Sequence, residues 1–106
     1  MSLSQFSDKV RECLRKHYKR IIQCLNMRAL LPHLLEKGLL TDYEWENLEK
    51  LTAHEQSEYF ILRILPRKGE EGFKRFLECL RAEKEHLGHH SLADVLYLNF
   101  QEYTLV

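Results

Sequence analysis

Three cysteines and six histidines are the residues here with the most specific chemistry on offer. A metal centre needs thiolates and imidazoles at short, patterned intervals, and Cys13, Cys24 and Cys79 form neither a CxxC pair nor a zinc-ligand spacing. His86, His89 and His90 follow Cys79 and could be imagined as ligands. Their spacing matches no structural zinc pattern, and a polar turn accounts for them as simply. No nucleophile elbow, phosphate-binding glycine loop or paired-acid constellation is present, and no cysteine sits in a local signature of a catalytic thiol. Neither catalysis nor a metal or cofactor is expected. Cys13 and His17 fall on an apolar stripe and read as packed side chains, with Cys24 at its margin and Cys79 beside the core face of a later helix.

The remaining chemistry is ionic, and its placement matters more than its amount. Lys9, Arg15, Lys16, Lys19 and Arg20 lie opposite the apolar stripe of the first predicted helix with Glu12 the one acid among them, and Arg63 emerges from a later apolar helix. Between residues 36 and 58 the balance reverses: Glu36, Asp42, Glu44, Glu46, Glu49, Glu55 and Glu58 face Lys37 and Lys50. Sixteen basic and sixteen acidic residues cancel, and a pI near 7.0 argues against a nucleic acid or membrane surface as partner. Were the third helix a DNA-recognition helix, Asp42, Glu44, Glu46 and Glu49 would repel phosphate. The first residues show no signal-peptide pattern and no apolar run approaches the ~20 residues a bilayer needs. With an odd number of thiols and no disulfide framework, a reduced, cytoplasmic protein is expected.

The elements that must position these charges are helices. At 106 residues and 44% hydrophobic content the chain suits one core, and four glycines and two prolines leave few turn formers. Phe6, Val10, Cys13, Leu14, Tyr18, Ile21, Ile22 and Leu25 recur at three-and-four spacing, predicting a long first helix. Asn26-Met27-Arg28 reads as a turn before a second helix over 29–37, where Pro32 would have to lie in the first turn and Gly38 supplies the left-handed stop. Thr41-Asp42-Tyr43-Glu44 and Thr52-Ala53-His54-Glu55 are two capping boxes, opening a third helix to about Leu51 and a fourth to Leu65, before Pro66. On the fourth, Phe60, Ile61, Leu62, Ile64 and Leu65 are expected inside, leaving Gln56, Tyr59 and Arg63 as a polar strip. A fifth helix, about 70–83, carries Phe73, Phe76, Leu77 and Leu80 on one face. Truncating the expected core residues Phe76 or Leu62 to Ala would cost about 2–5 kcal/mol. A break at Gly88, His89 and His90 precedes a sixth helix with Val95, Leu96 and Leu98 on its apolar side. One domain over 4–98 and a tail over 99–106 follow. Trp45 reads either as a partly exposed anchor or as a rim residue over the core, and Thr104-Leu105-Val106 either as a PDZ-type carboxy terminus or as an arbitrary chain end.

Six antiparallel helices with the first longest and the fourth most apolar resemble the death-fold superfamily, a Greek-key helical bundle. The stretch from Tyr59 to Leu80, with Leu65 ending an apolar helix, Arg67-Lys68-Gly69 turning, and Gly72-Phe73 opening a helix with Phe76 and Leu80 inside, resembles the caspase recruitment domain (CARD). Leu31 to Thr41 is similar to the same family's second-to-third helix region. The resemblance covers roughly 6–98. It implies homotypic recruitment of a caspase, adaptor or scaffold carrying another CARD, with self-assembly also open, in apoptotic or inflammatory signalling. It further implies that a basic face of the first and fourth helices, Arg15, Lys16, Lys19 and Arg63, meets an acidic face of the second and third, Asp42, Glu44, Glu46 and Glu49. A regulatory prodomain of an initiator caspase, or a death, death-effector or pyrin domain, are the alternatives. A first helix bent into two pieces would mark the CARD branch.

Overall fold

The first helix is two helices. In the computed structural model, which describes the backbone of residues 8–83 and 87–105 and the side chains of 9–83 and 88–101, α1 spans Asp8–Lys16 and α2 spans Tyr18–Cys24. Phe6, expected to open the apolar stripe, lies outside the described residues. Between α1 and α2, His17 sits at φ −107°, ψ 15°, in the sparsely populated bridge region. Its carbonyl still accepts from Ile21 N–H at 2.9 Å, so the bend preserves backbone pairing. It also lets Val10, Cys13 and Leu14 of α1 and Ile21 of α2 all reach the core.

α3 covers Met27–Glu36 and begins earlier than the spacing predicted, because Asn26 is a cap and not part of a turn. Its Oδ1 accepts from Ala29 N–H at 3.2 Å. Pro32 is therefore inside the helix, where the lost N–H is tolerated because Met27, Leu30, Leu31 and Leu34 bury one face. α4 (Asp42–Glu49) and α5 (Ala53–Tyr59) start on complete capping boxes at Thr41 and Thr52, each with both reciprocal hydrogen bonds.

The helix opened by α5 does not stay α-helical. It widens into a π turn over Phe60–Ile64, with Leu65 N–H donating to the Phe60 carbonyl, and tightens into a 3-10 turn over Leu65–Lys68. Pro66 accounts for the change: it has no N–H for the Leu62 carbonyl, and its ring would clash with that carbonyl in a regular helix. Gly69 then takes φ 72°, a left-handed conformation other residues rarely adopt. At Gly72 a Cβ would collide with Cβ of Lys68, so the turn into α6 (Gly69–Ala82) closes only around a residue without a side chain.

α7 spans Leu87–Leu105 as one helix, so Gly88, His89 and His90 are helical and no break separates them from Ser91. The helix runs on through Asn99 and Phe100, both buried, where a tail was expected. The core closes on Phe60 against Phe76, ring centroids 5.5 Å apart, and Phe73 against Phe100 at 4.9 Å. Leu77 and Leu80 are buried beside them, as the apolar face expected of the fifth helix required.

Three expected core or surface assignments are overturned. Leu62 is 57% exposed, because successive residues turn by about 100° and place it opposite Phe60 and Ile64. Gln56 is buried and its amide donates to the Leu48 carbonyl at 2.8 Å, joining α5 to the end of α4. Leu98, 63% exposed, lies off the apolar side of α7, whose inward positions are Leu92, Ala93, Leu96 and Phe100.

Candidate functional site

Arg15, Lys16 and Lys19 are exposed on the two halves of the first helix, and Arg63 is exposed on the π turn. Arg15 lies 3.8 Å from Glu12, a solvent-exposed pair of little energetic weight. A groove of ≈ 510 Å³ is lined by Arg11, Leu14, Arg15 and Tyr18 of the bent first helix and by Ile61, Leu62 and Pro66. Arg63 adjoins this groove through a smaller one that it shares with Arg11, Leu62 and Arg67. Lys16 and Lys19 are not among the residues lining either. Arg63 and Arg67 make no ion pair among the described residues.

On α4, Asp42, Glu46 and Glu49 are exposed, and Tyr43, next to Asp42 in the chain, is 73% exposed. Glu44 points elsewhere. Its Oε1 accepts from Thr41 N–H at 2.9 Å and from Lys68 Nζ at 3.0 Å, tying the start of α4 to the turn before α6. The two charged regions meet: Tyr43 and Glu44 share a third groove with Tyr59, Arg63 and Arg67. Trp45 is half-buried against the core, a rim position.

Arg11, Arg67, Leu62 and Tyr43 are the surface residues that charge counting missed. Arg11 is one helical turn before Arg15 and Arg67 one turn after Arg63, so i,i+4 spacing was the signal that would have found them.

Tyr18 and His89 join elements of the bundle. Tyr18 hydroxyl donates to Glu58 Oε2 at 3.3 Å; burial first, and then the Glu58 carboxylate, raise its phenol above the ordinary 10.0. His89 is fully buried and its Nε2 accepts from Asn26 N–H at 2.9 Å, which places it under the start of α3. Among the described residues no three His, Cys, Asp or Glu side chains are grouped to hold a metal ion; His86 lies outside them, as do the side chains of Thr104, Leu105 and Val106. Among them, too, no helix is long and apolar enough to cross a membrane.

A helical bundle with a bent first helix, a groove lined in part by Arg11 and Arg15 and an acidic helix defines a death-fold interaction module. The family model for the caspase recruitment domain matches residues 11–92, and the chain belongs to that family. Its members are homotypic protein–protein interaction domains. No solved structure matches the chain significantly.

Proposed function

We propose that this chain recruits a CARD-bearing caspase, adaptor or scaffold in cytoplasmic apoptotic or inflammatory signalling, through a basic face of Arg15, Lys16, Lys19 and Arg63 and an acidic face of Asp42, Glu46 and Glu49. One observation carries the reading: these side chains are exposed and segregated by sign onto different helices of a domain whose family binds its own kind. Complementary potentials steer encounter and set register, while packing between the charges supplies affinity. Glu44 belongs to the acidic helix but acts there by fixing its start through Thr41 and Lys68.

The test is capture of CARD partners from lysate by purified wild-type, Arg15→Glu and Asp42→Lys chains, with melting curves alongside. Both reversals should abolish capture and leave the melting temperature nearly unchanged. Undiminished capture by both would remove the reading.

A further inference from the structure

Three arginines from separate elements line one small recess. The groove of ≈ 250 Å³ takes Arg11 from α1, Arg63 from the π turn and Arg67 from the 3-10 turn, with Leu62 and Pro66 as its apolar wall. All three arginines are exposed, and among the described residues that line the groove none is a carboxylate. Arg63 and Arg67 also line the neighbouring groove, where the carboxylate of Glu44 is already engaged by Lys68 Nζ at 3.0 Å. Cations gathered in a recess with apolar walls repel one another and focus their field on an anion that enters.

We propose that the groove of Arg11, Arg63 and Arg67 binds a small polyphosphate, two linked phosphate groups being the unit it recognises. Charge sets the number of groups. One phosphate carries about −1.5 to −2 near neutral pH, short of three guanidiniums, whereas two linked phosphates about match them. Residue type sets the chemistry, because the planar fork of arginine pairs with two phosphate oxygens at once and gives short, charge-assisted hydrogen bonds. Size sets the class of ligand. At ≈ 250 Å³ the groove falls below the roughly 300–1,000 Å³ of sites for drug-sized molecules, and a helix about 10–12 Å across cannot enter it, which leaves a compact anion. Arg11 and Arg67 lie outside the recruiting face and binding is read on the isolated chain, so the inference does not rest on the recruitment reading. Arg63 belongs to both, and a bound polyphosphate withholds it from a partner.

Titration of the purified chain with inorganic pyrophosphate, followed by calorimetry and by amide chemical shifts, tests it, with sulfate at equal ionic strength as the control. Wild type should bind one pyrophosphate saturably, with the largest shifts at Arg11, Leu62, Arg63 and Arg67, and sulfate should bind at least about tenfold more weakly. Arg63→Gln and Arg67→Gln should each weaken pyrophosphate about tenfold or more, the loss of one charge-assisted contact. Arg67→Lys should fall between Arg67→Gln and wild type, because it keeps the charge and loses the fork. Lys19→Gln, which removes an exposed cation that does not line the groove, should bind as wild type does. All four positions of substitution are on exposed side chains, and melting curves check that each variant folds. Adenosine diphosphate carries the same linked phosphates: tighter binding than pyrophosphate would give the nucleoside the adjoining groove of Tyr43 and Tyr59, equal or weaker binding would assign recognition to the phosphates alone, and both support the site. Unsaturable binding, sulfate as tight as pyrophosphate, or equal losses in Arg67→Gln and Lys19→Gln overturns the proposal and leaves general attraction to a basic surface. Capture of CARD partners that still depends on Arg15 and Asp42 in that event would leave the recruitment reading intact.

Discussion

Cys13, Cys24 and Cys79 carry the same thiol in three environments. Cys13 is fully buried with Sγ 3.6 Å from the Leu96 carbonyl, and burial pushes it up to about 12 against the pull of Lys16. Burial likewise pushes Cys79 up to about 11, with Lys37 lowering it. Cys24 is exposed. A thiol-specific chromophore at neutral pH should therefore label the native chain once, Cys24→Ser should abolish that label, and urea should release two more. The raised values also set a pH dependence. The unfolded thiols lose their protons near the ordinary 9.0 while the folded ones hold theirs, so this contribution to stability is complete below about 9 and is lost as pH rises toward 11 and 12. Urea midpoints should be lower at about pH 10.5 than at about pH 8. Neither burial nor the Glu44–Lys68 pair at 3.0 Å could be read from residue types, since both depend on groups far apart in the chain.

Among the elements, the helix over 53–68 separates what periodicity determines from what it does not. Phe76→Ala should cost about 3–5 kcal/mol, because its ring is fully buried against Phe60. Leu62→Ala should stay within about 0.5 kcal/mol, since more than half of that side chain already faces solvent. Paired urea titrations check both, and equal losses would contradict the contrast in burial. The capping boxes at Thr41 and Thr52 were legible because both partners lie within four residues of each other. The cap at Asn26 was equally local and was obscured by Pro32, which argued for a later start. The π turn was not legible: Pro66 forbids a regular α-helix there, but that local rule is met equally by a chain that stops and by one that widens.

For the molecule as a whole, net charge is a poor guide because the sum of zero conceals segregated faces. Partner capture should fall as salt is raised from about 0.05 to about 0.5 M, as the screening length shortens about threefold, while the melting temperature moves little. Pull-down across a salt series measures this, and capture indifferent to salt would assign the contact to packing alone.

The sequence by itself determined an all-helical bundle, its two boxed helix starts and the Phe73, Phe76, Leu77 and Leu80 face, because periodicity, caps and turn glycines act over one or two helical turns; the CARD family entered by resemblance of the Tyr59 to Leu80 stretch. The tertiary structure decided the bend at His17, the outward position of Leu62, the inward use of Glu44 and the meeting of both charged regions at Arg63. Those features arise where separate helices share a surface, and residue order along one helix does not specify which neighbour completes it.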